Sequence, residues 1–200
     1  MLIYVIRHGQ TTANADGIIQ GWNDFPLNEK GRELAASTGR ELRDVKFDRC
    51  ISSPLVRARE TAQIVLRESG NDTKIETDER IKEIGFGEYE LISTRSPEIQ
   101  AFFDDPFSIP QFPGGEHVRL VMERTQEFLR ELIGLDDDKT YLIATHGCAL
   151  RAMLNFLYDD KEDFWQGNVP KNCCVNIIEA HEGKARLIAR DVTVPGENLA

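Results

Sequence analysis

Two apolar runs in the 200-residue chain end in a histidine followed by a glycine: LIYVIRHGQT, residues 2–11, and YLIATHGC, residues 141–148. In the first, Arg7 precedes His8 with no spacer, so a run that reads as a buried strand closes on a cation and an imidazole instead of ordinary turn residues. A third stretch, SSPLVRARET (52–61), places Arg57 near the start of a helical pattern. Guanidinium forks match phosphate oxygens bidentately. An imidazole with an ordinary pKa of about 6.5 is largely uncharged at neutral pH and free to act as a nucleophile. Arg7, Arg57, His8 and His146, with the free amides of a helix start, suit a dianionic tetrahedral group. Arg59 lies about 200° further round the helix than Arg57 and reads as a solvated surface residue.

Those side chains need elements that carry them to one place. LIYVI reads as a central strand, and further strands are expected at 49–53, 74–77 and 141–145. Between Glu29 and Val45, the residues Leu34, Thr38, Leu42 and Val45 share one face of an amphipathic helix. A second helix is expected to open with Ser53 as N-cap and Pro54 at its first position, burying Leu55, Ala58, Ala62 and Val65. Val118, Met122, Thr125, Leu129 and Leu132 mark a third, and a fourth runs from about Cys148 to Tyr158. The end, CCVNIIEAHEGKARLIARD, reads as two strands joined at Glu182-Gly183, with Cys173-Cys174 inside the first and His181 on the surface.

Strands alternating with helices indicate an α/β fold around a mostly parallel sheet, with the last pair antiparallel at one edge. In open sheets of this kind ligands bind beyond the carboxyl ends of the strands, where both His-Gly pairs stand. Residues 84–116 are broken by glycines and prolines and read as a small cap on a single domain spanning 1–200.

The net charge of −10 argues against nucleic acid and anionic membrane as partners, and it requires any anionic substrate to find a local basic pocket. No stretch approaches the roughly 18 apolar residues of a membrane span, and LIYVI is too short for a signal-peptide core. Cys50, Cys148, Cys173 and Cys174 form no secreted disulfide pattern and no CxxC pair, so a reduced, cytoplasmic protein is expected. The sequence carries no signal for oligomeric state.

Six ordered blocks, RHGQTTAN, QGWNDFPL, SSPLVRARETA, KEIGFGEYE, PGGE and THGCALR, resemble the histidine phosphatase superfamily in its phosphoglycerate-mutase-like branch. The resemblance runs from Arg7 to Arg151 and implies a three-layer α/β/α fold and a phosphohistidine intermediate. It assigns the nucleophile to His8, the phosphate clamp to Arg7, Arg57 and His146, and the proton donor to Glu83. Composition alone does not choose Glu83 over Glu79, Glu88 or Glu90. The resemblance also puts Asn14 near the phosphate, with Thr11, Gln20 and Gly21 lining the pocket. It implies no metal and no cofactor, since arginines supply the positive charge. Gly9 is expected to clear a path for the phosphoryl group, and the second ring nitrogen of His8 to bond a backbone carbonyl.

Three positions depart from the family pattern. Leu91 stands where glycine is common, and His117 where a serine usually follows PGGE. Cys148 replaces a second glycine, either as a small helix-start residue or as a thiol whose oxidation blocks the site. Phe102, Phe103, Phe107, Ile109 and Phe112 either pack the cap onto the domain or touch an apolar part of the substrate.

The expected activity is a metal-independent phosphomonoesterase acting on a small phosphorylated metabolite. A phosphoglycerate mutase shares the same residues but usually has a longer, more basic segment after the acid; here residues 84–116 contain Arg95 as their single cation. A non-catalytic module that binds phosphorylated ligands would be signalled by loss of His8 or Glu83, and both are present.

Overall fold

The computed structural model describes residues 1–193. Strand β1 (Leu2–Arg7) is interior, parallel to β4 (Thr140–Thr145) on one side and antiparallel to β5 (Val175–His181) on the other. With β2 (Arg49–Ser52), β3 (Ile75–Thr77) and β6 (Lys184–Val192), the sheet order is β3-β2-β4-β1-β5-β6. The first four of these positions are parallel, while β5 and β6 form the antiparallel edge pair.

Period-two alternation divides each inner strand between two cores. Tyr4 and Ile6 of β1 and Leu142 and Ala144 of β4 pack against α2 (Glu29–Glu41) and α3 (Val56–Glu68) through Ala35, Ala58, Ala62 and Val65. Ile3, Val5, Tyr141 and Ile143 face the other way, onto Phe128, Leu129 and Leu132 of α5 (Val118–Gly134) and Leu150 and Met153 of α6 (Gly147–Leu154). Both faces of the inner strands are therefore dry, as their unbroken apolar runs require. The architecture is the expected α/β/α sandwich.

A single helical turn, α1 (Thr12–Ala15), follows β1, and α4 (Pro97–Asp104) lies within the segment that reads as irregular. Pro97 opens α4 at its first position, where a missing N–H costs nothing. Phe102 and Phe112 of this segment join Val118, Val121, Ala149, Phe164 and Trp165 in a third apolar cluster, with Phe103, Phe107 and Ile109 packed against it.

Several boundaries differ from expectation. Helix α2 stops at Glu41; Leu42 caps it and Val45 packs from the loop beyond. Ser53 is not the N-cap of α3 and Pro54 is not its first residue. The helix begins at Val56, and Asp24 from a distant loop accepts the Val56 N–H at 2.6 Å in place of a local cap. Cys173 and Cys174 precede β5 in a turn, Cys173 with φ of 57°, so they do not pack within the strand. The Glu182-Gly183 turn has φ of 49° and 72°, the left-handed pair that a two-residue hairpin demands.

Candidate active site

Parallel register places Arg7 opposite Thr145, so His8 and His146 leave adjacent strands at the same level. Their ring centroids are 5.1 Å apart. His8 Nδ1 donates to its neighbour's carbonyl, Gly9 O, at 2.7 Å, which leaves Nε2 with its lone pair. Burial, then the Arg57 and Arg7 cations, hold this imidazole well below its ordinary pKa of 6.5. His146 is lowered in the same direction by burial, Arg57 and His8. Its Nε2 shares a hydrogen bond with the Ser53 hydroxyl at 2.7 Å, and its buried Nδ1 has no partner among the described residues. Ser53 thus fixes the orientation of the His146 ring.

Arg57, 1% exposed, reaches out of the first turn of α3 and donates to the carbonyls of Asn23 at 2.8 Å and Gly21 at 2.7 Å. Arg7 is fixed through Nη1 to Pro170 O. The Nε of each arginine is buried without a partner among the described residues. An unpaired buried donor costs about 1–3 kcal/mol, so these groups together favour an oxyanion as ligand. Burial lowers the Arg57 pKa to about 10, which leaves the guanidinium charged at neutral pH.

Glu83 stands at the start of α6. Its carboxylate accepts from Ala149 N at 3.0 Å, Ile84 N at 3.1 Å and Cys148 N at 3.3 Å, so the free amides of the helix terminus orient it. Its backbone carbonyl is held by Trp22 Nε1 at 2.8 Å and Arg124 Nη2 at 2.9 Å. Arg124 also bonds the carbonyls of Arg80 and Lys82 at 2.7 Å and pairs with Glu116 at 2.9 Å.

Arg7, His8, Asn14, Gln20, Gly21, Arg57 and Glu83 line one cleft of about 560 Å³ including its open mouth. Thr11 does not line it. That residue is fully buried, caps α1 in a capping box with Asn14, and donates to Gln20 Oε1 at 2.9 Å, so it supports two lining residues from behind. Asn14 Oδ1 accepts from Thr11 N and Asn172 Nδ2, which leaves its Nδ2 donor to offer a ligand. His146 is completely buried beside His8.

Gly9 is required for a different reason from the expected one. A Cβ there would meet Gly31 O at 2.6 Å, and one at Gly31 would meet Gln10 O at 2.1 Å. Two backbones touch, and neither strand end nor helix can carry a side chain at that point. Cys148 is buried at the cleft wall, and burial followed by the Glu83 charge pushes its thiol well above the ordinary range, which disfavours the thiolate and fits the small helix-start reading. His117 caps α5 through Nδ1, which accepts from Arg119 N at 3.0 Å. Leu91 adopts φ of 67° and is 52% exposed, a left-handed conformation that glycine would take without strain. Arg59 and His181 are exposed, as expected.

Four supporting residues have no clear signal in the sequence: Pro170, whose carbonyl holds Arg7; Asn172, which bonds His8 O at 3.0 Å; and Trp22 and Arg124 around Glu83. Trp22 and Glu116 do sit in quoted blocks, QGWNDFPL and PGGE, but neither is assigned a role there.

An arginine-flanked histidine pair at the carboxyl ends of adjacent parallel strands, inside a three-layer sandwich, defines a phosphoglycerate mutase-like α/β enzyme fold. The sequence model of the histidine phosphatase superfamily (branch 1) matches residues 3–193, and the chain belongs to that family. It is 31% identical over 187 residues to "Probable phosphoglycerate mutase GpmB" of Salmonella choleraesuis (strain SC-B67), covering 91% of this chain and 86% of that protein. Among solved structures, Bacillus stearothermophilus YhfR superposes with a TM-score of 0.85 at 31% identity, covering 95% and 96% of the two chains. A mycobacterial glucosyl-3-phosphoglycerate phosphatase shares the fold with a TM-score of 0.82 at 22% identity, covering 96% and 99%.

Proposed function

We propose that the protein is a metal-independent phosphomonoesterase that hydrolyses a small phosphorylated metabolite through a phosphohistidine on His8. The observation that carries this reading is the state of His8: buried, uncharged, its Nδ1 engaged by Gly9 O, and flanked by Arg7 and Arg57. The Nε2 lone pair attacks phosphorus in line, the ester P–O bond breaks, and Glu83 gives its proton to the departing alkoxide. Glu83 then takes a proton from water as the water oxygen attacks phosphorus; the P–N bond breaks, which returns neutral His8 and releases phosphate. General acid–base help of this kind is worth about 10²–10⁴-fold. Arg7, Arg57 and the His146 imidazole beside His8 stabilise the transferring oxygens, where catalysis of phosphoryl transfer chiefly lies. Asn14, Gln20 and Gly21 border the bound group, and Thr11 fixes Asn14 and Gln20.

Residues 84–116 form the cap of a single catalytic unit. The four cysteines are buried and unpaired, which supports a reducing, cytoplasmic setting. Among the described residues no helix is long and apolar enough to cross a membrane.

The name of the GpmB relative favours a second reading, a mutase that returns the phosphoryl group to substrate. The sparse positive charge of residues 84–116 favours water as acceptor. Assay of a panel of phosphoesters in chelator decides between them: free phosphate from wild type and none from His8→Ala is expected. Primed isomerisation of 3-phosphoglycerate without phosphate release would overturn the phosphatase reading.

A further inference from the structure

We infer that the leaving group accepted by this cleft is an uncharged, predominantly apolar alcohol, and that the cleft discriminates against esters carrying a second anionic group. The inference rests on the phosphomonoesterase reading and concerns the other end of the same cleft. Beyond the phosphate-facing groups, the wall is mainly apolar, with Ile18, Ile19, Phe102, Phe103, Trp165 and Val169 among its side chains and Thr94 and Cys148 as its neutral polar members. Trp165 is fixed edge-on against Phe102 and Phe103, with ring centroids 5.8 Å away in both cases, so the aromatic corner is preformed.

The cations of the cleft wall are Arg7 and Arg57, both at the phosphate end, and its one carboxylate is Glu83. A carboxylate or second phosphate on the leaving group would exchange water for aromatic and aliphatic carbon with no countercharge, a costly transfer. An apolar ring or branched chain instead buries its surface against these side chains at no electrostatic cost.

The test compares esters of primary alcohols, so that intrinsic leaving ability varies little: benzyl phosphate and hexyl phosphate against 3-phosphoglycerate and glycerol 1-phosphate. Wild-type kcat/KM is expected to favour benzyl phosphate over 3-phosphoglycerate by at least about tenfold, the scale of apolar-pocket discrimination. Phe103→Arg, which places a cation at the half-buried rim, is expected to narrow or reverse that ratio. Equal or better turnover of 3-phosphoglycerate by wild type overturns the inference. Calorimetric binding of the same esters to His8→Ala reads the cleft without chemistry. Tighter benzyl phosphate there sustains the inference even if wild type hydrolyses nothing, an outcome that would defeat the phosphatase reading alone. Equal or tighter 3-phosphoglycerate there would defeat the inference on its own.

Discussion

At the phosphate end of the cleft, His8, Arg57 and His146 are 2%, 1% and 0% exposed, and each is bound to a named backbone or hydroxyl oxygen. At the mouth, Val169 is 38% exposed, Ile18 and Phe103 are half-buried, and the wall is held by apolar packing. Directional hydrogen bonds and touching backbones tolerate no displacement; apolar contacts accept changes of shape at modest cost. The chemistry is therefore placed where the fold is least forgiving, and selectivity where it is most adjustable.

The sharpest way to break this comparison lies outside the cleft. Gly31→Ala, on α2, forces a Cβ against the Gln10 carbonyl and is expected to cost about 3 kcal/mol of stability in chemical denaturation, with kcat falling as the His8 loop shifts. A cost under about 0.5 kcal/mol would show that the strand end is not held by that contact.

Next in size is a pH effect confined to the rigid end. His8 and His146 have folded pKa values below the unfolded 6.5, so the unfolded chain binds more protons as pH falls. Their contribution to stability is present above pH 6.5 and lost below it. Between pH 7.5 and 5.5 the pair should remove at most about 3 kcal/mol, measured by denaturant midpoints, and His146→Gln should roughly halve that loss. A loss unchanged by the substitution would remove His146 from the buried neutral pair.

The smallest effect belongs to the mouth side. Leu91→Gly relieves a left-handed φ worth about 1–2 kcal/mol but adds unfolded-state entropy, for a net gain of about 0.5 kcal/mol in thermal or chemical unfolding. A loss above about 1 kcal/mol would mean that the leucine side chain holds the cap.

Much of the rigid end is legible in the sequence because side-chain identity carries it. An apolar run ending in Arg7-His8-Gly9 and a second ending in His146-Gly147 locate both strands and both imidazoles. The hairpin at Glu182-Gly183 is equally plain. What sequence does not show is work done by main-chain atoms. The carbonyls of Pro170, Gly21 and Asn23 hold the arginines, and the amides of Cys148 and Ala149 hold Glu83. Every residue type offers such groups, so nothing marks these. Ser53 misleads for a related reason: a serine before proline has the pattern of a helix cap, yet its hydroxyl is taken by a histidine 93 positions away. The purpose of Gly9 is likewise visible only once Gly31 is opposite it.

The most direct test of the central claim is to trap the covalent intermediate. Wild-type protein mixed with a phosphomonoester, quenched in alkali within the first turnover and digested, should carry one acid-labile phosphoryl group on the peptide containing His8. The label should disappear on chase with unlabelled ester and be absent from His8→Ala. Phosphate release at an undiminished rate by His8→Ala, or a label on any other residue, would contradict the account.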